Sequence, residues 1–140
     1  MLKYQLLDPK AKGLYVADGQ IAGADFHTFG THGIPAKSFA KIRTGVRIEV
    51  PKNCFAQIMP RSSSFKLGLV VTGGVIDQDY RGEIIVIVVN INDYPIVIED
   101  GCRIAQVVLV KNYSIERTEE TFVSTDTVRS EKGFGSSGFF

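Results

Sequence analysis

The stretch EIIVIVVNI, residues 83–91, limits this chain's folding choices more than any other. Seven of the eight residues from Ile84 to Ile91 are Ile or Val. Branching at Cβ stiffens such side chains and suits them to a pleated strand. Side chains of a strand alternate between its faces, so an unbroken apolar run needs cover on both. In an all-β protein the second face is covered by another sheet or by a partner subunit. No long amphipathic helix pattern competes with this reading, and fourteen Gly and five Pro divide the chain into short β-branched runs.

Those runs share the period of two. KIRTGVRIEV (41–50) puts Ile42, Val46, Ile48 and Val50 on one face, which predicts a half-buried strand. CFAQIM (54–59) alternates again after a turn at Pro51. NDYP (92–95) and EDG (99–101) are turns flanking a strand at PIVIE, and RIAQVVLV (103–110) is a further strand. The one short helix expected follows PRSSS, where serine is placed to cap a turn leading into FKLG. Many short strands at close spacing predict a sandwich, jelly roll or barrel. With 140 residues the chain is of single-domain length and needs no disulfide or metal staple.

Charge and cysteine usage exclude several classes. Sixteen Lys and Arg against fifteen Asp and Glu leave a net charge of +1, so overall charge gives no footprint for long nucleic acid. Cys54 and Cys102 form no CxxC pattern and read as free core thiols in a reducing compartment, and His27 and His32 are too few to complete a zinc site. MLKYQLLDPKAKG carries no apolar stretch of signal-peptide or membrane-span length. The expected location is cytoplasmic or nuclear, or a host cell for a virus-encoded protein.

Four polar clusters interrupt the β pattern. AGADF (22–26) sets Asp25 among small residues before an expected turn, where an Asp commonly caps backbone. PRSSSFKLG (60–68) joins Arg61 to three hydroxyls at a helix start, the parts of a phosphate cradle, although Arg-Ser pairs are also ordinary surface. GGVIDQDYRGE (73–83) reads as a tight hairpin exposing Asp77 and Asp79 beside Tyr80. Asp79 serves turn chemistry there, and Asp77, after two aliphatics, lies at a sheet edge where a partly dry carboxylate works as a base. In GCRIAQ (101–106), Gln106 sits in an apolar strand and needs a hydrogen-bond partner from protein or ligand. Beyond about residue 116 the chain turns polar and ends in GFGSSGFF, whose Gly and Ser favour flexible coil.

Taken in order, AGxDF, PRSS, GVIDxDYRG, GxRIAQ and RxxxGFGSSG resemble the five motifs of the trimeric dUTPase family, the deoxyuridine triphosphate nucleotidohydrolases. The match runs from Ala22 to Gly138. It implies an all-β jelly roll, a distorted β-barrel, assembling as a homotrimer with active sites shared between subunits. Residues 1–128 would form the jelly-roll domain with its C-terminal arm, and residues 129–140 a flexible lid. The implied reaction hydrolyses dUTP to dUMP and pyrophosphate, with Mg²⁺ carried on the triphosphate, which limits uracil in DNA and supplies dUMP for thymidylate synthesis. By this resemblance Asp77 activates the attacking water, and Tyr80 packs under the deoxyribose. Gly74, Val75, Ile76 and Ile85 line the uracil. Arg61, Ser62, Ser63 and Gln106 contact phosphates, and Asp25 holds Mg²⁺ through water. In the tail, Phe134 stacks on uracil while Arg129, Gly135, Ser136 and Ser137 close over the outer phosphates. No nucleic-acid or membrane partner is implied.

The sequence departs from the family pattern at three places. Ser63 stands where Gly is common, and Ser130 and Lys132 replace glycines of the tail. Phe139 and Phe140 match no motif. A dCTP deaminase, related in fold, shares RSS, LGL and a similar hairpin, but it carries a catalytic Glu where this chain has Ile87, which moves no proton. A trimeric β module that binds a regulatory partner is the third reading, and the intact set Asp25, Asp77, Tyr80 and Gln106 weighs against it.

Overall fold

The computed structural model describes residues 1–20, 22–119 and 128. Its strands, in chain order, are β1 (Lys3–Leu6), β2 (Ala24–His27), β3 (His32–Ile34), β4 (Ser38–Arg43), β5 (Val46–Glu49), β6 (Cys54–Pro60), β7 (Leu69–Thr72), β8 (Val75–Ile76), β9 (Ile85–Asn90), β10 (Ile96–Ile98) and β11 (Arg103–Lys111). Every strand pairing is antiparallel. One sheet has the order β2-β11-β6-β8 and another β4-β9-β7, with β1-β5 and β3-β10 as two-stranded ribbons. The two larger sheets share one apolar core that holds Phe26, Ile58 and Val107 from the first and Ile42, Val71, Val86 and Val88 from the second. This is a β jelly roll.

The apolar run of 83–91 forms β9, the central strand of its sheet, and its two faces differ. Val86, Val88 and Asn90 are fully buried, whereas Ile85, Ile87 and Val89 are only half-buried. Val89 lies between Phe39 and Val70 on the outer face, and both of those are exposed. Among the described residues one face of β9 is covered and an apolar row is left on the other. Asn90 tolerates its burial because its amide donates to the carbonyls of Ile34, Pro35 and Tyr94, at 3.2, 3.2 and 2.9 Å.

KIRTGVRIEV is not the single strand its alternation predicts. The chain turns a corner at Thr44 and Gly45, leaving β4 in one sheet and β5 paired with β1. Gly45 has φ +67°, a left-handed conformation that costs other residues more. The Thr44 hydroxyl donates to the Ile84 carbonyl at 2.7 Å, fixing the corner against β9. Ile42, Val46, Ile48 and Val50 nevertheless all face the core, as their spacing requires. Two smaller expectations also change. Residues Ser64–Leu67 form a 3₁₀ turn, and Ser63 at its start has φ −80°, ψ −15° and no capping hydrogen bond. A cap needs extended backbone to aim its oxygen at the following amides, and Ser63 is already helical. Of the two thiols, Cys54 is half-buried and Cys102 is exposed rather than in the core.

Candidate active site

The hairpin of residues 73–85 builds one cleft. Among the described residues β8 is the outermost strand of its sheet, pairing through Ala56↔Ile76 and Gln57↔Val75. A turn follows in which the Tyr80 amide donates to the Asp77 carbonyl at 3.2 Å. Arg81 closes the turn by donating to the carbonyls of Gln78 and Tyr80, at 2.6 and 3.0 Å. Tyr80 then folds back, its hydroxyl donating to the Glu83 carbonyl at 2.9 Å. The ring crosses Gly82 so closely that a Cβ there would collide with it. Glu83 is held in turn by Arg43, whose Nε and a terminal nitrogen approach it at 3.2 Å, and by the Gly45 amide at 3.0 Å. Val75, Ile76, Asp77, Tyr80 and Ile85 line the resulting cleft of about 460 Å³ together with Glu83. Asp77 is exposed in the single chain, at the sheet edge but not dry.

A second cleft is built from residues far apart in sequence. Asp25 lies within β2 and not in a turn, and it is buried. Its Oδ2 faces two guanidiniums, Arg61 Nε at 3.3 Å and an Arg103 terminal nitrogen at 3.6 Å. Arg61 also donates to the Arg103 carbonyl at 3.1 Å. A guanidinium carries five N–H groups, more than these contacts use, so the pair retains donors for an anion. Gln106 stands opposite Asp25 across β11 and donates to the Pro60 carbonyl at 3.0 Å. Asp25, Arg61, Ser62, Arg103 and Gln106 line one pocket of about 190 Å³, with two positive charges set against one negative.

A β-bulge makes this second cleft possible. Arg103 and Gln106 are an odd number of residues apart, so in a regular strand they would face opposite sides. The pairing of β11 with β2 shifts between Arg103 and Ala105, and Ile104 and Ala105 are both buried in succession. The extra residue brings Arg103 opposite His27 and Gln106 opposite Asp25, on one face. Arg103 was therefore invisible as a site residue in the alternation of RIAQVVLV. The wall behind it leaves no mark in the sequence either: the Arg103 guanidinium lies 4.7 Å from the centre of the Tyr15 ring. His27 meets Tyr15 edge-on, with ring centres 6.4 Å apart. Burial pushes the His27 pKa below its ordinary 6.5, the Gly13 carbonyl opposes that shift, and Lys12 and Arg103 reinforce it. That shift disfavours a third cation beside Arg103.

Gly74 and Ser63 line neither cleft. The Gly74 carbonyl accepts from the Ile58 amide at 3.0 Å and is spent on the sheet. Arg129, Phe134, Gly135, Ser136 and Ser137 lie outside the described residues, as does the division at residue 128/129 that depends on them. Among the described residues no group of three His, Cys, Asp or Glu is arranged to hold a metal, and no helix is long and apolar enough to cross a membrane. A lone Asp25 already facing two guanidiniums suits contact with a hydrated Mg²⁺ carried by a ligand, and does not suit direct coordination of a resident ion.

A β jelly roll carries here an acid-bearing hairpin and a cleft whose two guanidiniums suit a phosphorylated ligand. The dUTPase family model matches residues 17–138. A deoxyuridine 5'-triphosphate nucleotidohydrolase of Clostridium novyi is 43% identical over 100 residues, covering 69% of this chain and 70% of that protein. The variola virus enzyme of the same name is 39% identical over 118 residues, 84% of this chain and 79% of its own. The Staphylococcus bacteriophage 80alpha dUTPase, solved with dUPNHPP, superposes with a TM-score of 0.88 at 28% identity, covering 99% of this chain and 98% of that one. The chain belongs to the dUTPase family.

Proposed function

We propose that this protein hydrolyses dUTP to dUMP and pyrophosphate as a homotrimer whose active sites are shared between subunits. The observation that carries the reading is the hairpin cleft, where Asp77, Tyr80, Ile76 and Ile85 meet on a chain of this family. The outermost strand β8 has backbone groups on its unpaired edge, so Val75 and Ile76 are suited to bond uracil as another strand would. Uracil offers acceptor, donor, acceptor, and cytosine does not match that pattern. Groups left unpaired with the wrong base cost about 1–3 kcal/mol each. Tyr80, pinned to the Glu83 carbonyl, would lie under the deoxyribose and exclude a 2'-hydroxyl by bulk.

The chemistry is an in-line displacement. Asp77 takes a proton from water as the water oxygen bonds to the α-phosphorus. The bond from that phosphorus to the bridging oxygen of the β-phosphate breaks, and pyrophosphate leaves. Arg61, Ser62, Arg103 and Gln106 would bind and orient the phosphates, with charge neutralisation and positioning supplying most of the catalysis. Asp25 would align the two guanidiniums and meet the water shell of an Mg²⁺ carried on the substrate. Ser63 is left with a supporting place on the 3₁₀ turn and Gly74 with one in the hairpin. Arg129, Phe134, Gly135, Ser136 and Ser137 retain the roles the resemblance implies, closing over base and outer phosphates.

The register of β6 and β8 supports a site shared between chains. Along β6, Ala56 pairs with Ile76, and from Ala56 to Arg61 the extended chain covers about 17 Å. Asp77 continues from Ile76 in the opposite direction. Bringing Asp77 and Arg61 to one triphosphate therefore calls for a neighbouring subunit, and the apolar outer face of β9 offers it an interface.

Two experiments test this. Given Mg²⁺ and dUTP, dCTP, TTP or UTP separately, the protein should release pyrophosphate from dUTP alone. Ammonia from dCTP would mark a deaminase, and no product from any would leave a binding module. Sharing is tested by mixing inactive Asp77→Asn and Arg61→Ala subunits through unfolding and refolding. Random trimers would regain about a quarter of wild-type sites; sites contained within one chain would regain none.

A further inference from the structure

We propose that Tyr15 is a positioning residue for the phosphate cleft, holding the Arg103 guanidinium on its ring and the Asp25 backbone through its own. This rests on the reading of that cleft as the place where the triphosphate binds. Tyr15 stands outside every polar cluster of the sequence and outside the span matched by the family. It nevertheless touches the cleft in two independent ways. Its amide donates to the Asp25 carbonyl at 3.0 Å and the Asp25 amide donates to its carbonyl at 2.7 Å, an isolated bridge beyond the strands. Its ring faces the Arg103 guanidinium at 4.7 Å, and His27 meets the ring edge-on with centres 6.4 Å apart.

The physical need is clear from the charges. Arg61 and Arg103 crowd one carboxylate oxygen and repel each other, and the Arg103 side chain is about two-fifths exposed. Without a wall, Arg103 would sample many rotamers toward solvent, and ordering it would weaken substrate binding. An aromatic face attracts a cation while leaving the edge N–H groups available to an anion. Tyr15 is itself 43% exposed, more than a residue kept for core packing, and its ring rather than its hydroxyl makes the contact.

The test compares Tyr15→Leu with Tyr15→Phe. Removal of the ring should raise KM for Mg-dUTP about 3–10-fold, with kcat within about twofold of wild type. Tyr15→Phe should restore wild-type KM. In an Arg103→Gln background, Tyr15→Leu should change KM by less than about twofold, because the partner is already gone. Thermal midpoints check folding, and Tyr15→Thr supplies a second ring-free variant if Leu disturbs it. Unchanged KM in folded ring-free variants, a Phe variant as impaired as Leu, or effects that multiply in the double variant would each overturn the proposal. If the wild-type protein releases no pyrophosphate from dUTP, the reading of the cleft falls and this inference with it. If it does and the ring is dispensable, only this inference falls.

Discussion

The two clefts of this molecule are built from opposite kinds of structure. The hairpin cleft is local: thirteen consecutive residues contain its acid, its ring and most of the bonds that hold them, with Arg43 and Gly45 as outside props on Glu83. The guanidinium cleft is dispersed: Tyr15, Asp25, Arg61 and Arg103 come from four segments and meet only when β11 is paired on both sides. The local cleft leaves its carboxylate in water, while the dispersed one buries its carboxylate under two cations. Chemistry that needs a base accessible to solvent water can be carried on a turn. A fixed charge array in a low-dielectric setting has to be clamped from several directions at once.

The contrast predicts how each region breaks. Asp77→Asn should strike the reaction alone, lowering turnover by about 10²–10⁴-fold with the thermal midpoint unchanged. Steady-state kinetics beside calorimetry tests this, and near-wild-type turnover would end the assignment of Asp77 as base. Asp25→Ala should strike binding and stability together. It leaves two partly exposed guanidiniums facing one another, and a loss of about 2 kcal/mol is expected, below that for a fully buried pair. Chemical denaturation measures it, and KM for Mg-dUTP should rise in parallel. A fully stable Asp25→Ala protein would mean that the cleft is not clamped as described. The smallest effect is expected for Gly82→Ala, whose Cβ meets the far end of the Tyr80 ring; that ring is exposed and can turn aside, so the cost to stability should stay below about 1 kcal/mol. That change should displace the ring and raise activity on UTP relative to dUTP, with little loss of global stability.

Legibility in the sequence follows the same division. The hairpin was readable because turn chemistry, the aliphatic pair and the acid are contiguous in GGVIDQDYRGE. The strand β9 is readable because its composition leaves no alternative to a strand, although the described residues bury only one of its two faces. The place of Asp25 within a strand is hidden because nothing within AGADF tells that its backbone bonds with Tyr15 or that two arginines arrive from elsewhere. The corner at Thr44 and Gly45 was hidden because Ile42, Val46, Ile48 and Val50 keep their parity through it. Arg103 was hidden for the reverse reason, since the bulge breaks parity where a period of two was assumed.

The bulge at Ile104 has a consequence for how such a chain can change over generations. Substitutions alter what a side chain is, whereas a deletion here would alter where the rest of the strand points. Losing one residue between Arg103 and Gln106 would turn one of them away from Asp25, and no replacement of a single amino acid elsewhere would bring it back. Lineages carrying this cleft should therefore tolerate many spellings of β11 but only one length between its arginine and its glutamine.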